Sequence, residues 1–152
     1  MQNTFQQKLA SAFHSFRAGN VDEADHLASE ALAINPRSPD ALLLRGVIAG
    51  LQDRHADAEL LLRRAANIEK KNHYIFFNLA HSLSEQEKNK ESLKWHRKAL
   101  ELDSKHDNAW LNYGRSLFNL GEFDAAMTAF DRALAINRNL AEGYTNKAKK
   151  EK

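Results

Sequence analysis

Asp107–Leu140 reads DNAWLNYGRSLFNLGEFDAAMTAFDRALAINRNL. Its closing segment RALAINRNL, which starts at Arg132, has three counterparts upstream: EALAINPRS from Glu30, RAANIEKKN from Arg64 and KALELDSKH from Lys98. The four segments start 34 residues apart, and that period is what a helix–turn–helix repeat requires. Four units follow without a gap, at 5–38, 39–72, 73–106 and 107–140, with a partial unit or capping helix at 141–152. Each unit is expected to place helix A at about its positions 2–14 and helix B at about 18–31.

Superposing the units shows what each position requires. Position 8 holds Ala12, Gly46, Ala80, Gly114 and Ala148. Position 20 holds Ala24, Ala58, Ser92 and Ala126, and position 27 holds Ala31, Ala65, Ala99 and Ala133. Small residues at fixed places let two antiparallel helices approach closely. Position 28 (Leu32, Ala66, Leu100, Leu134) and position 30 (Ile34, Ile68, Leu102, Ile136) are both expected to fill the space between hairpins. Gly19 and Gly121 stand at position 15, in the A–B turn, where a left-handed residue costs least; Asp53 and Glu87 replace them in the middle units.

These residues resemble the tetratricopeptide repeat (TPR) family. The last full unit carries the likeness best, with Trp110 at position 4, Tyr113-Gly114 at 7–8, Gly121 at 15, Ala126 at 20, Phe130 at 24 and Ala133 at 27. The family's proline at position 32 appears once, as Pro36. The resemblance covers about nine-tenths of the chain. It implies an all-α, right-handed helical solenoid forming one TPR domain over 1–152, and a concave groove lined by helices A that binds protein or peptide partners.

Helix A positions 2, 5, 6, 9, 12 and 13 are expected to face that groove. Position 6 is Asn78, Asn112 and Asn146 in the last three units, after Ala10 and Leu44. An asparagine offers an acceptor and two donors, so it can bond both the C=O and the N–H of an extended peptide. The row resembles the asparagines in the TPR arm of O-linked N-acetylglucosamine transferases. Position 9 runs Phe13, Val47, His81, Arg115, Lys149, from apolar to basic, which favours a ligand with an acidic end. Tyr74, Phe77 and Phe118 add aromatic contact. Family members that clamp acidic chaperone tails use basic and amide residues where this chain has Leu9, Phe13, Leu44, Tyr74 and Asn78, so that subtype is not expected.

The first unit departs from the pattern. Its expected core positions 4, 7 and 11 are Lys8, Ser11 and Ser15, and its apolar stripe is Phe5, Leu9, Phe13 and Phe16. Three readings stand: the helix rotates to pack the stripe inward, the stripe drives self-association into a homo-oligomer, or it contacts a ligand. At the other end, Tyr144 and Ala148 begin a fifth helix A. The segment reads either as a polar cap or, as we expect, as a cut through a longer protein.

Composition excludes several classes. Lys and Arg total 22 against 20 Asp and Glu, a net charge of +2, which gives no electrostatic case for wrapping nucleic acid. There is no Cys, so disulfides, thiolate zinc sites and thiol catalysis are excluded. Seven His include no pair at the i, i+3 or i, i+4 spacing that would converge on a metal. No phosphate-binding glycine loop or catalytic triad is found. His96, at a position where the repeat packs an aromatic, reads as a core or half-buried histidine. No apolar run is long enough for a membrane span or a signal peptide, so a cytoplasmic location is expected. The chain is therefore expected to be a non-enzymatic interaction scaffold without cofactor or metal. The alternatives are the substrate-recognition arm of a larger enzyme, such as a glycosyltransferase, and a self-associating scaffold.

Overall fold

A computed structural model describes residues 2–140, and these form eight helices with no strand among them. They are α1 (Gln2–Arg17), α2 (Val21–Ile34), α3 (Pro39–Leu51), α4 (His55–Ile68), α5 (His73–Glu85), α6 (Asn89–Leu102), α7 (Asp107–Asn119) and α8 (Phe123–Ile136). The fold is an all-α helical repeat solenoid of four antiparallel hairpins. From α2 on, every helix starts and ends one residue earlier than the repeat pattern places it. The start of α3 shows one reason: Ser38 serves as N-cap, its Oγ accepting from the Ala41 N–H at 3.2 Å, and Pro39 takes the first helical position.

All four A–B turns share one construction. Position 15 has positive φ in each: Gly19 +88°, Asp53 +61°, Glu87 +63° and Gly121 +79°. The next N–H reaches back to the carbonyl of position 11, from Asn20 to Ser15, Arg54 to Ala49, Lys88 to Leu83 and Glu122 to Leu117, at 2.8–2.9 Å. This six-to-one bond closes a helix C-terminus through a left-handed residue. Asp53 and Glu87 therefore adopt the conformation that glycine takes freely, at a cost of about 1 kcal/mol each.

The helices divide into two compact units between Lys70 and Lys71. In the first, α1–α4, Ala12, Ala24, Ala28, Leu44 and Ile48 form a buried cluster flanked by Phe13, Phe16, Val21 and Leu27. In the second, α5–α8, Leu111, Leu117, Ala126, Ala129, Phe130 and Ala133 do the same, flanked by Trp110, Tyr113, Phe118 and others. Trp95 stacks on Phe76 with ring centroids 5.8 Å apart, and Trp110 donates its indole N–H to the Ser104 carbonyl at 2.8 Å.

Within a hairpin, position 8 faces position 24. A Cβ on Gly46 would stand 2.7 Å from the Leu62 side chain, and one on Gly114 would stand 2.5 Å from the Phe130 ring. Glycine thus pairs with a large side chain, whereas Ala12 and Ala80 share their hairpins with the smaller Ala28 and His96. The expectation that position 30 fills the inter-hairpin space is corrected for three of its four residues: Ile34, Leu102 and Ile136 are each more than 40% exposed and Ile68 is half-buried, while Leu32, Ala66, Leu100 and Leu134 at position 28 are buried. Two residues along a helix turn the side chain by about 200°, so only one of the two positions can face inward.

Candidate functional site

In the second unit, α5 and α7 run side by side as the helices A of successive hairpins. Between them lies a pocket of about 60 Å³. Helix α5 contributes His81, Ser84 and Glu85, one turn apart along its exposed face. Helix α7 contributes Asn112, Arg115, Ser116 and Asn119. Among the residues predicted from sequence, the pocket brings together His81, Asn112 and Arg115.

The rim is tied by polar contacts. Arg115 Nη1 donates to Asn112 Oδ1 at 3.2 Å, which turns the Asn112 amide nitrogen away from the guanidinium. His81 Nε2 stands 3.9 Å from Glu85 Oε1. At the floor, Ser84 Oγ and Ser116 Oγ are 2.7 Å apart. Ser116 Oγ is also 3.2 Å from His96 Nε2 and 3.1 Å from Ser92 Oγ. Helices α5, α6 and α7 thus meet in one buried polar network.

His96 is wholly buried, and its Nδ1 has no hydrogen-bond partner. Burial, with the charge of His81 as a second cause, lowers its pKa to about 3, so the ring is neutral at pH 7. Placing the proton on Nε2 leaves Nδ1 as an orphan lone pair rather than a buried orphan N–H, the less costly arrangement. Nε2–H then donates to Ser116, and one hydroxyl of the Ser84–Ser116 pair donates to the other.

The remaining predicted residues lie elsewhere. Asn78 is half-buried one turn before His81, and its amide donates to the Tyr74 carbonyl of its own helix at 2.8 Å. One amide hydrogen and the side-chain oxygen remain for a ligand. Tyr74 is exposed and lies with Phe77 against His106, ring centroids 5.8 and 4.5 Å away. The pKa of His106 is lowered by burial and by neighbouring His73, against opposing carboxylates. Phe118 packs on the core and edge-on to Phe123. Asn146 and Lys149 lie outside the described residues, as do Tyr144 and Ala148. In α1, Ala12 and Ser15 are buried, so the helix keeps the register of the other repeats. Phe5, Leu9, Phe13 and Phe16 are half-buried, the last two against the first unit's core.

Sequence reasoning did not single out Ser84, Glu85, Ser116 and Asn119. Three of them stand at groove positions 12 and 13, so position alone could have found them; Ser116, at position 10, gave no such signal. No group of three or more metal-binding side chains occurs among the described residues, and no described helix is long and apolar enough to cross a membrane.

Tetratricopeptide-repeat models match residues 14–72 and 83–149. The chain belongs to the tetratricopeptide-repeat family. It is 32% identical over 114 residues to anaphase-promoting complex subunit 3 of Schizosaccharomyces pombe, covering 75% of this chain and 17% of that protein. It is 25% identical over 122 residues to the protein O-mannosyl-transferase TMTC1 of Mus musculus, covering 78% of this chain and 13% of that one. The TPR chain thus spans less than a fifth of the length of these relatives. Among solved structures, a MamA protein superposes with a TM-score of 0.86 at 17% identity, covering 96% of this chain and 80% of that one. YrrB, described as a TPR protein with an unusual peptide-binding site, superposes with a TM-score of 0.81 at 20% identity, covering 95% and 76%. At such identities the structural likeness speaks for the fold alone.

Proposed function

We propose that this TPR chain is a protein-interaction module whose second unit holds an extended segment of a partner protein along α5 and α7. The TPR fold is in general a non-catalytic interaction fold, and the observation that carries the reading is the pocket that gathers His81, Asn112 and Arg115. Asn78 and Asn112, with Asn146 beyond the described residues, bond the partner's backbone. Arg115, His81 and Lys149 favour acidic side chains, a bias that Glu85 offsets inside the pocket. Tyr74 and Phe77 add an aromatic surface one to two turns earlier on α5.

The test is calorimetric titration of a peptide selected on the purified chain from a random library. Asn112→Ala is expected to weaken binding by roughly 1–2 kcal/mol, the usual cost of losing hydrogen bonds to groups left buried. Affinity that ignores this change removes the asparagine row from the reading.

A second reading, that the chain is the substrate-recognition arm of a larger enzyme, has support from the match to a mannosyl-transferase many times longer. Coding sequence flanking these residues decides it, since the arm requires a catalytic domain in the same polypeptide.

A further inference from the structure

The pocket between α5 and α7 is lined by polar residues alone, and its two permanent charges cancel. Arg115 supplies one positive charge and Glu85 one negative, and both line the same space. A guanidinium carries five N–H donors and a carboxylate about four lone-pair sites, so each can serve a neighbour and a guest at once. The donors lie mainly on α7, as the Arg115 guanidinium and the Asn112 amide, while the one carboxylate lies on α5.

We propose that this pocket is a side-chain subsite that takes the carboxamide of an asparagine on the bound partner in preference to the carboxylate of an aspartate. The inference rests on the groove reading above and refines it. Size fits: a water needs roughly 10–15 Å³ of such space, so about 60 Å³ accommodates about four heavy atoms, the number in an asparagine side chain beyond Cα. Polarity fits as well. The guest C=O accepts from Arg115 and Asn112, which fill its two lone pairs. The guest NH2 donates to Glu85. An aspartate in the same place keeps the attraction of Arg115 but sets its charge against Glu85 and gives that carboxylate no donor. An apolar side chain strips water from Ser84 and Asn112 and returns nothing, and a site built from such groups rejects a guest that lacks the matching ones.

The fragment test uses acetamide and acetate, four heavy atoms each, titrated at matched ionic strength and pH 7.5 into the ¹⁵N-labelled chain. Acetamide is expected to shift the amide signals of Ser84, Glu85, Arg115 and Ser116 at about tenfold lower concentration than acetate, the effect of roughly one hydrogen bond gained and one repulsion avoided. In Glu85→Gln, an exposed substitution, that preference is expected to vanish or reverse. Acetate binding the unaltered chain as well as acetamide, or neither moving these signals, overturns the subsite. A library selection separates this failure from that of the groove reading. Peptides that lose affinity in Asn78→Ala, outside the pocket, and carry a preferred asparagine support both. Peptides that depend on Asn78 with no asparagine preference keep the groove and overturn the subsite. Peptides indifferent to Asn78 remove the groove reading and the subsite with it.

Discussion

The second and third hairpins have the same length, the same turn and the same helix registers, but opposite centres. In α3–α4, Gly46 leaves room for Leu62, and the contact is dry. In α5–α6, Ala80 faces the place where His96 brings in Ser84, Ser92 and Ser116. At that contact one repeat is closed by dispersion and hydrophobic transfer, while the other adds to its apolar packing a set of hydrogen bonds whose worth depends on every partner being present. The difference falls where the pocket is. The polar centre opens through Ser84 and Ser116 onto the α5–α7 surface, whereas Leu62 serves only packing.

Removing the dry contact should have the largest effect. Leu62→Ala takes a fully buried leucine from beside a glycine that cannot fill the space, and is expected to cost about 2–5 kcal/mol in chemical denaturation. A loss below about 1 kcal/mol would mean that the hairpin repacks and that the dry centre is not the rigid half of the comparison.

The polar centre should instead fail with acid. The unfolded chain protonates His96 near pH 6.5, whereas the folded chain resists protonation down to about 3. The contribution is therefore complete above pH 6.5 and is lost progressively as pH falls towards 3. At pH 4.5 the loss from this residue is expected to be about 2–3 kcal/mol. Ala80→Gly with His96→Leu copies the second hairpin into the third and should abolish this acid-labile part. His96→Leu alone should lack the room that Gly46 gives Leu62. Equal acid sensitivity in the double variant and the parent would place the labile group elsewhere.

The smallest effect is in the turns. Glu87→Gly relieves a left-handed glutamate in the polar hairpin, and Asp53→Gly does the same in the dry one. Each is expected to raise stability by about 0.5–1 kcal/mol, measured as a shift of the denaturation midpoint. A gain in one hairpin and none in the other would show that the turns are not the shared part of the design.

The repeat architecture was legible because it is written four times. Positions 8, 20 and 27 stay small wherever helices touch, and the period gave the helix bounds to within a residue from the second helix onward. Position 30 misled because an isoleucine two residues from a core leucine looks alike in composition and differs only in direction. The pocket was half legible. Asn112, Arg115 and His81 announce themselves by residue type and register. Ser84 and Ser116 do not, since a serine in a helix is ordinarily unremarked until a buried neighbour such as His96 gives its hydroxyl a purpose. Glu85 is one of 20 Asp and Glu residues, and only its place in the same pocket as Arg115 shows that it sets the charge of a cavity.

The packing of Trp95 on Phe76 and of Trp110 over Ser104 also divides the chain optically. Both tryptophans and all three tyrosines fall after Lys70, and the residues before it hold neither. Fluorescence excited at tyrosine and tryptophan wavelengths therefore watches the pocket-bearing half alone, while far-ultraviolet dichroism sums over every helix. Without any label, a mismatch between the two melting profiles would reveal the halves unfolding separately, and coincident profiles would mark a single cooperative array.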